Sequence, residues 1–149
     1  MDPNRKSTRK AIDADRRAVT AVARLPRPPK GWIATVRYAL GVSQEILGGR
    51  LRAPKQRISQ LEARERDNTI RLDQLRSVAE ALGCDLVYAF VPREPLEESV
   101  KRQARDVALR ELKAVERSMQ LEGQETPITE ERLRDYIARH VDETELWQR

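Results

Sequence analysis

The sequence predicts an all-α fold with a helix-turn-helix unit, one short dimer-forming β-strand and a C-terminal helical extension. Apolar residues recur every three or four positions through most of the chain, which is typical of amphipathic helices. Only residues 85–91 alternate with the period of two that indicates a strand. Charged residues make up 36% of the 149 residues and aromatic residues 4%, which favours a helical protein with a modest core over a large enclosed active site.

Residues 1–30 are predicted to form a basic N-terminal segment that contains one helix and ends in a linker. Residues 1–10 are polar and basic, and we expect them to be disordered. Residues 11–25 carry apolar side chains at mostly helical spacing and predict a helix. The Pro-Arg-Pro-Pro run at 26–29 ends this helix because successive prolines hold the chain extended.

Residues 31–83 are predicted to form a unit built around two short helices and a tight turn, within residues 43–62. Ser43 is suited to cap the first of these helices, because its hydroxyl can accept a hydrogen bond from a backbone N–H of the first turn. Pro54 stands where the second helix begins, and there a missing N–H costs nothing. Ile58 and Leu61 are three residues apart and face inward, whereas the residues between them are polar.

Two glycines interrupt the first of the paired helices. Gly48 and Gly49 are poor helix formers, so their presence predicts that one backbone passes very close to another. Residues 64–68 are expected to form a polar loop after the second helix, and residues 71–82 the next helix.

The paired helices resemble a known DNA-binding family. Ser43-Gln44 and the run Ile58-Ser59-Gln60-Leu61-Glu62 are similar to the Cro/repressor-type (XRE) helix-turn-helix family, over about residues 31–83. Gly31-Trp32-Ile33 and the run from Leu82 to Arg93 resemble a narrower group, the mobile mystery protein A family, and this likeness extends over most of the chain. That family is associated with Fic-domain partner proteins. The residues Ala53-Pro54 depart from the family by replacing the usual hydroxyl cap before the recognition helix.

The resemblance implies that the second helix enters the major groove of double-stranded DNA. Glutamine can bridge the N6 and N7 edge of adenine, and arginine or lysine can reach guanine O6 and N7. Gln44 resembles the family's phosphate contact, and basic side chains around the turn are expected to add further phosphate contacts. The expected groove-facing residues are Lys55, Gln56, Arg57, Ser59 and Gln60, and the expected further phosphate contacts are Arg50, Arg52 and Arg64.

Residues 84–93 are predicted to be a dimerisation strand. Both faces of the alternating run are apolar, so the strand must be covered on both sides. A lone strand leaves its backbone groups unpaired, and pairing with the same strand of a second copy resolves this. We expect a homodimer with Leu86, Val87, Tyr88 and Phe90 at its interface, and hence an inverted-repeat operator. An extended segment packed on its own domain is the alternative, and Cys84 beside it is expected to be a buried thiol.

The charge is unevenly distributed along the chain. Residues 1–71 contain 17 Lys and Arg against 7 Asp and Glu, and residues 72–149 contain 12 against 17. The basic half is suited to a polyanion, and the acidic half is suited to a protein partner, although a solvated charged surface explains the acidic half equally well. Because the sequence has no membrane-length apolar run and no signal core, we expect a cytoplasmic protein. It shows no metal-ligand spacing and no nucleophile–base pair, so we expect no cofactor and no enzymatic activity.

Residues 94–149 are predicted to be a helical, partner-binding region, with a long helix over about 95–122 and another helix capped by Thr129. Ser118-x-x-x-Glu122-Gly123 is similar to the inhibitory helix of Fic proteins, which transfer AMP from ATP to a target hydroxyl. The resemblance implies that Glu122 pairs with the arginine that would otherwise hold the ATP γ-phosphate. Because the pattern is short, Ser118 and Glu122 as ordinary surface residues remain an alternative.

The sequence therefore predicts a DNA-binding antitoxin that represses its own operon and inhibits a Fic-domain toxin. The alternative is a dimeric, sequence-specific transcriptional repressor without a toxin partner. A nucleoid-type structural protein, which would show no sequence preference on DNA, is a third interpretation.

Overall fold

The computed structural model describes residues 2–120 and 127–148, and these residues form an all-α protein. Because none of the described segments is a β-strand, the strand predicted over 85–91 is corrected to an irregular segment between two helices. A strand needs a hydrogen-bonding neighbour, and a single copy of the chain offers none to this segment. The helices are α1 (Pro3–Ala23), α2 (Trp32–Ala39), α3 (Gln44–Leu51), α4 (Lys55–Arg66), α5 (Leu72–Ala81), α6 (Leu96–Gln120) and α7 (Glu130–His140).

The chain divides into two compact units. The central unit consists of residues 24–89 and contains α2 to α5. The terminal unit combines residues 1–23 with residues 90–149 and contains α1, α6 and α7. Among the helices of the described ranges, none is long and apolar enough to cross a membrane.

The central unit has a small core to which each of its four helices contributes. The buried residues are Ile33, Leu47, Ile58, Leu61, Val78 and Leu82. Burying an aliphatic side chain of this size stabilises a fold by about 1.5–3 kcal/mol. The inward positions predicted for Ile58 and Leu61 are confirmed, because both side chains are at least 95% buried.

Helix α3 lies close to the backbone of the following turn at Gly48. The backbone N–H of Ala53 donates to the carbonyl of Gly48 at 2.8 Å, and a Cβ at residue 48 would overlap the carbonyl oxygen of Ala53. Arg52 ends α3 in the left-handed conformation, with φ of 54°, and so reverses the chain toward α4. The predicted close approach is confirmed at Gly48, whereas Gly49 faces open space.

The N-terminus of α2 is capped by a carboxylate of α4. Glu65 accepts hydrogen bonds from the backbone N–H groups of Trp32 at 2.6 Å and Ile33 at 2.9 Å. Gly31 precedes them with φ of 84°, and a Cβ there would lie 2.8 Å from Glu65 Oε2. Glycine is therefore required at residue 31 by both its backbone conformation and the space available. Arg27 donates to the backbone oxygen of Glu65, which attaches the proline-rich linker to α4.

Helix α1 begins at Pro3, so the disorder expected for residues 1–10 is wrong. Arg9 is buried and forms ion pairs with Glu97 of α6 and with Glu143. The hydrogen bond from Arg9 lowers the pKa of Glu97, and the same bond is the main reason that the pKa of Arg9 is raised. Asp13 accepts from the backbone N–H of Leu96 at 2.8 Å and so caps α6. These partners lie more than eighty residues away, which is why local composition predicted a helix only from residue 11 and not from Pro3.

The remaining core of the terminal unit lies between α6 and α7. Ala108, Leu112 and Leu133 are buried there. Thr129 caps α7 as predicted, because its hydroxyl accepts from the backbone N–H of Arg132 at 3.2 Å. Near the end of the chain, the Leu146 side chain is buried and its carbonyl accepts from Gln103 at 2.8 Å.

The two glycines of α3 provide a matched test of this packing. We expect Gly48→Ala to lower the free energy of unfolding by about 1–3 kcal/mol, because the added methyl group overlaps a backbone carbonyl. Gly49→Ala should raise it by up to about 1 kcal/mol, because alanine is the better helix former and has room there. Equilibrium urea unfolding of both variants measures the difference. Equal stability of the two variants would show that the close approach is not rigid.

Candidate nucleic-acid interface

Helices α3 and α4 are two short helices joined by a tight turn, as the sequence predicts for residues 43–62. Ser43 precedes α3, and its hydroxyl accepts from the backbone N–H of Ile46 at 3.1 Å, which confirms the predicted cap. Pro54 is the residue before α4 and supplies no side-chain hydrogen bond to it. The first turn of α4 is instead closed by the Pro54 carbonyl, which accepts from the N–H of Arg57 at 2.9 Å.

One face of α4 is polar and exposed. Ile58 and Leu61 lie on the opposite face and anchor the helix in the core. Because α4 continues to Arg66, Arg64 lies in its last turn and not in the predicted loop. Of the residues on this helix that are predicted to contact DNA, Arg57 is half-buried. The others are exposed: Lys55, Gln56, Ser59, Gln60 and Arg64.

A buried carboxylate on the opposite side of α4 binds side chains of α2 and α3. Glu62 accepts from Arg37 Nε at 2.7 Å and from Gln44 Nε2 at 2.9 Å. Arg37 also donates to the carbonyl of Val42 at 3.0 Å, just before α3 begins. A glutamine amide carries two N–H groups, so Gln44 keeps a second one for the predicted phosphate contact. The contact with Glu62 fixes the direction of the Gln44 side chain.

Sequence reasoning missed Arg37 and Glu62. The available signal was the position of Glu62, which lies four residues after Ile58 and therefore on the buried face of α4. A carboxylate at such a position requires a partner, because an unpaired buried charge is strongly destabilising.

A second ion pair joins the starts of α3 and α4. Lys55 Nζ lies 2.7 Å from Glu45 Oε1, and the side chains are 55% and 59% exposed. Hydrogen bonds lower the pKa of Glu45 to about 2, first from Lys55 and then from its own backbone N–H and the Ser43 hydroxyl. Glu45 is therefore ionised at neutral pH. The sequence analysis did not single out this residue.

The basic residues expected to contact phosphates have different surroundings. Arg50 donates to the carbonyl of Ala81 at 2.9 Å and so binds the C-terminal end of α5. Arg52 is exposed at the turn between α3 and α4. Residues 24–89 contain 12 Lys and Arg against 7 Asp and Glu. The central unit thus has a positive net charge, as binding to a polyanion requires.

The predicted dimer segment exposes most of its apolar side chains in the single chain. Val87 is 68% exposed, Tyr88 63% and Phe90 97%, whereas Leu86 is half-buried. Cys84 is also exposed, so the expectation of a buried thiol is wrong. The adjacent apolar run does not cover the thiol, because the run itself is mostly exposed. Three of the four side chains predicted for the dimer interface are therefore accessible in the single chain.

Ser118 is the one residue of the predicted inhibitory motif that lies within the described part of the chain, in the last turn of α6. Ser118 is exposed, and its hydroxyl donates to the Ala114 carbonyl one turn earlier at 3.3 Å. Glu122 and Gly123 lie outside the described residues.

No family model, curated protein or solved structure matches the chain. A function for this protein therefore has to be argued from its own residues and contacts.

The Glu62 ion pair can be tested by measuring stability. We expect Glu62→Leu to lower the free energy of unfolding by about 3–5 kcal/mol, because Arg37 is then left partly buried without its partner. The double variant Arg37→Met/Glu62→Leu should recover much of this loss, since it removes both charges. Urea unfolding of Glu62→Leu, Arg37→Met and the double variant gives the coupling energy between the two side chains. Additive losses would contradict a direct pair.

Proposed function

We propose that the protein is a DNA-binding antitoxin that represses its own operon and inhibits a Fic-type AMP-transferring toxin. The main observation in support is that one face of α4 is polar and exposed while the opposite face is buried in the core. Gln56, Ser59 and Gln60 project from a helix that is anchored by Ile58 and Leu61. A recognition helix needs this combination of a rigid inner face and hydrogen-bonding groups on the outer face.

The proposed DNA contacts divide into two classes. Lys55, Gln56 and Gln60 carry donors and acceptors that match base edges in the major groove, so they would determine the sequence that is bound. Gln44 and Arg52 lie at the start of α3 and at the turn, where they would contact phosphates and position the unit. The Cro/repressor-type resemblance supports the same division.

The proposed protein is a homodimer joined through residues 84–93. The exposed side chains of Val87, Tyr88 and Phe90 support this arrangement, as does the alternating pattern of the segment. Pairing between two copies would supply the backbone hydrogen bonds that a strand requires. A two-fold dimer reads two half-sites about one helical turn apart, so the operator would be a short inverted repeat.

The sequence pattern Ser118-x-x-x-Glu122-Gly123 supports the antitoxin function. Ser118 and Glu122 are one helical turn apart, so a helix that continued to Glu122 would present both on one face. In this proposal Glu122 pairs with the toxin arginine that would otherwise hold the ATP γ-phosphate. A repressor without a toxin partner is the competing function, because the exposed face of α4 would serve DNA binding in either case.

Two variants separate base reading from phosphate binding. Gln56→Ala should lower affinity for the preferred operator by about 1–3 kcal/mol and relax sequence preference, because a bidentate base contact is lost. Arg52→Ala should weaken binding to all duplexes and reduce the slope of log K against log salt by about 0.9. Fluorescence anisotropy on operator and random duplexes at several salt concentrations measures both effects. An equal loss on both duplexes for Gln56→Ala would refute its role as a base contact.

The antitoxin function has its own test. A tagged copy of the chain purified from its native host should retain a Fic-domain protein. Glu122→Ala should then restore AMP transfer by that protein and leave operator binding unchanged. Asp106→Ala, which removes an exposed carboxylate from α6, is the matched control. Continued full inhibition by Glu122→Ala would contradict the mechanism, and purification without a Fic protein would favour the repressor alone.

A further inference from the structure

The Lys55–Glu45 ion pair lies at the edge of the proposed recognition surface. Lys55 is the first residue of α4, and Glu45 belongs to the first turn of α3. The 2.7 Å separation places the ammonium group of Lys55 in direct contact with a carboxylate. Both side chains remain more than half exposed, so the pair contributes little to folding. Its position suggests a role in what Lys55 binds.

A free lysine on a DNA-binding surface binds every phosphate it can reach. Such contacts are independent of sequence. Each phosphate contact that is lost makes the binding affinity less dependent on salt. A carboxylate beside the lysine opposes this in two ways. It occupies the ammonium group, and it repels the phosphates of the backbone.

Base edges differ from phosphates in the charge they carry. Guanine O6 and N7 are neutral acceptors, and the exocyclic amino groups of cytosine and adenine are neutral donors. A neighbouring carboxylate does not repel these groups, and it can itself accept a hydrogen bond from an amino group. A lysine held by glutamate therefore keeps its contact with bases while it loses its attraction to phosphates.

We propose that Glu45 is a specificity-determining residue that keeps Lys55 for base contacts and prevents its binding to phosphates on non-specific DNA. This inference rests on the proposed DNA-binding function. Glu45 is placed for this role by its position in the first turn of α3, where its carboxylate lies 2.7 Å from the ammonium group of Lys55. The hydrogen bond from Lys55 lowers the pKa of Glu45 further below the physiological range, in which a glutamate is already ionised.

The test is a double-variant cycle on full-length protein, with an operator obtained by in vitro selection and a random duplex. Glu45→Gln should steepen the slope of log K against log salt on random DNA by about 0.9, as expected for one added phosphate contact. The ratio of specific to non-specific affinity should fall several-fold. Adding Lys55→Gln to Glu45→Gln should return the slope on random DNA to its original value.

The decisive comparison is the effect of Lys55→Gln in two backgrounds, one with Glu45 and one with Glu45→Gln. With Glu45 present, Lys55→Gln should lower operator affinity but change the random-DNA slope much less than it does in the Glu45→Gln background. Glu80→Gln removes an equivalent exposed charge from α5 and is the matched control, for which we expect no dependence on Lys55.

Two results would overturn the proposal. Equal changes in slope for Lys55→Gln in both backgrounds would show that Glu45 does not restrain Lys55. Equal effects of Glu80→Gln and Glu45→Gln would reduce Glu45 to a contribution of net charge. In either case the proposed DNA-binding function would stand, whereas failure of the unmodified protein to bind any duplex would overturn both proposals.

Discussion

The central unit depends on two carboxylates that α4 directs inward. Glu62 binds Arg37 and Gln44, and Glu65 binds the first N–H groups of α2. Removing a carboxylate from water costs several kcal/mol, and only well-formed partners offset that cost. The arrangement of α2, α3 and α4 is therefore specific, because any shift of one helix leaves a buried charge without its partner.

This constraint determines the properties of the exposed face of α4. Side chains that read bases must be held within a fraction of an ångström of the correct position, and that requires a rigid support. Here the support is polar as well as apolar. Leu61 and Glu62 are neighbours in sequence, and both are at least 95% buried. The core thus determines both where α4 lies and how it is rotated about its own axis.

Much of the fold follows from the sequence, because helices express local patterns. Ser43 and Thr129 cap helices as their residue types predict, and the close approach at Gly48 follows from a glycine inside a helix. The sequence-based predictions were wrong where secondary structure depends on partners that are distant in the sequence. The sequence predicted disorder for residues 1–10 because the partners of Arg9, Glu97 and Glu143, are far from it along the chain. Residues 85–91 show the same limit, because they are irregular in a single chain and a strand is defined by its neighbour.

The candidate site shows the same limit at the level of side chains. The exposed positions of α4 follow from helical periodicity, and Gln56, Ser59 and Gln60 were identified from it. The contacts of Lys55 with Glu45 and of Arg50 with Ala81 cross a turn or join two helices. Whether such long side chains meet depends on their rotamers and on the angle between helices, and neither is encoded in residue spacing.

The division of the terminal unit between the two ends of the chain has a consequence for biosynthesis. The central unit can fold as soon as residue 89 has left the ribosome, whereas Arg9 must wait for Glu97 and then Glu143. At translation rates of about 5–20 residues per second, the last 60 residues take roughly 3–12 seconds to appear. Until Glu97 and Glu143 have both appeared, α1 lacks the ion pairs that hold Arg9, and helices in proteins owe most of their stability to such tertiary contacts. The nascent chain therefore acquires its α3–α4 pair before it completes the unit that carries Ser118.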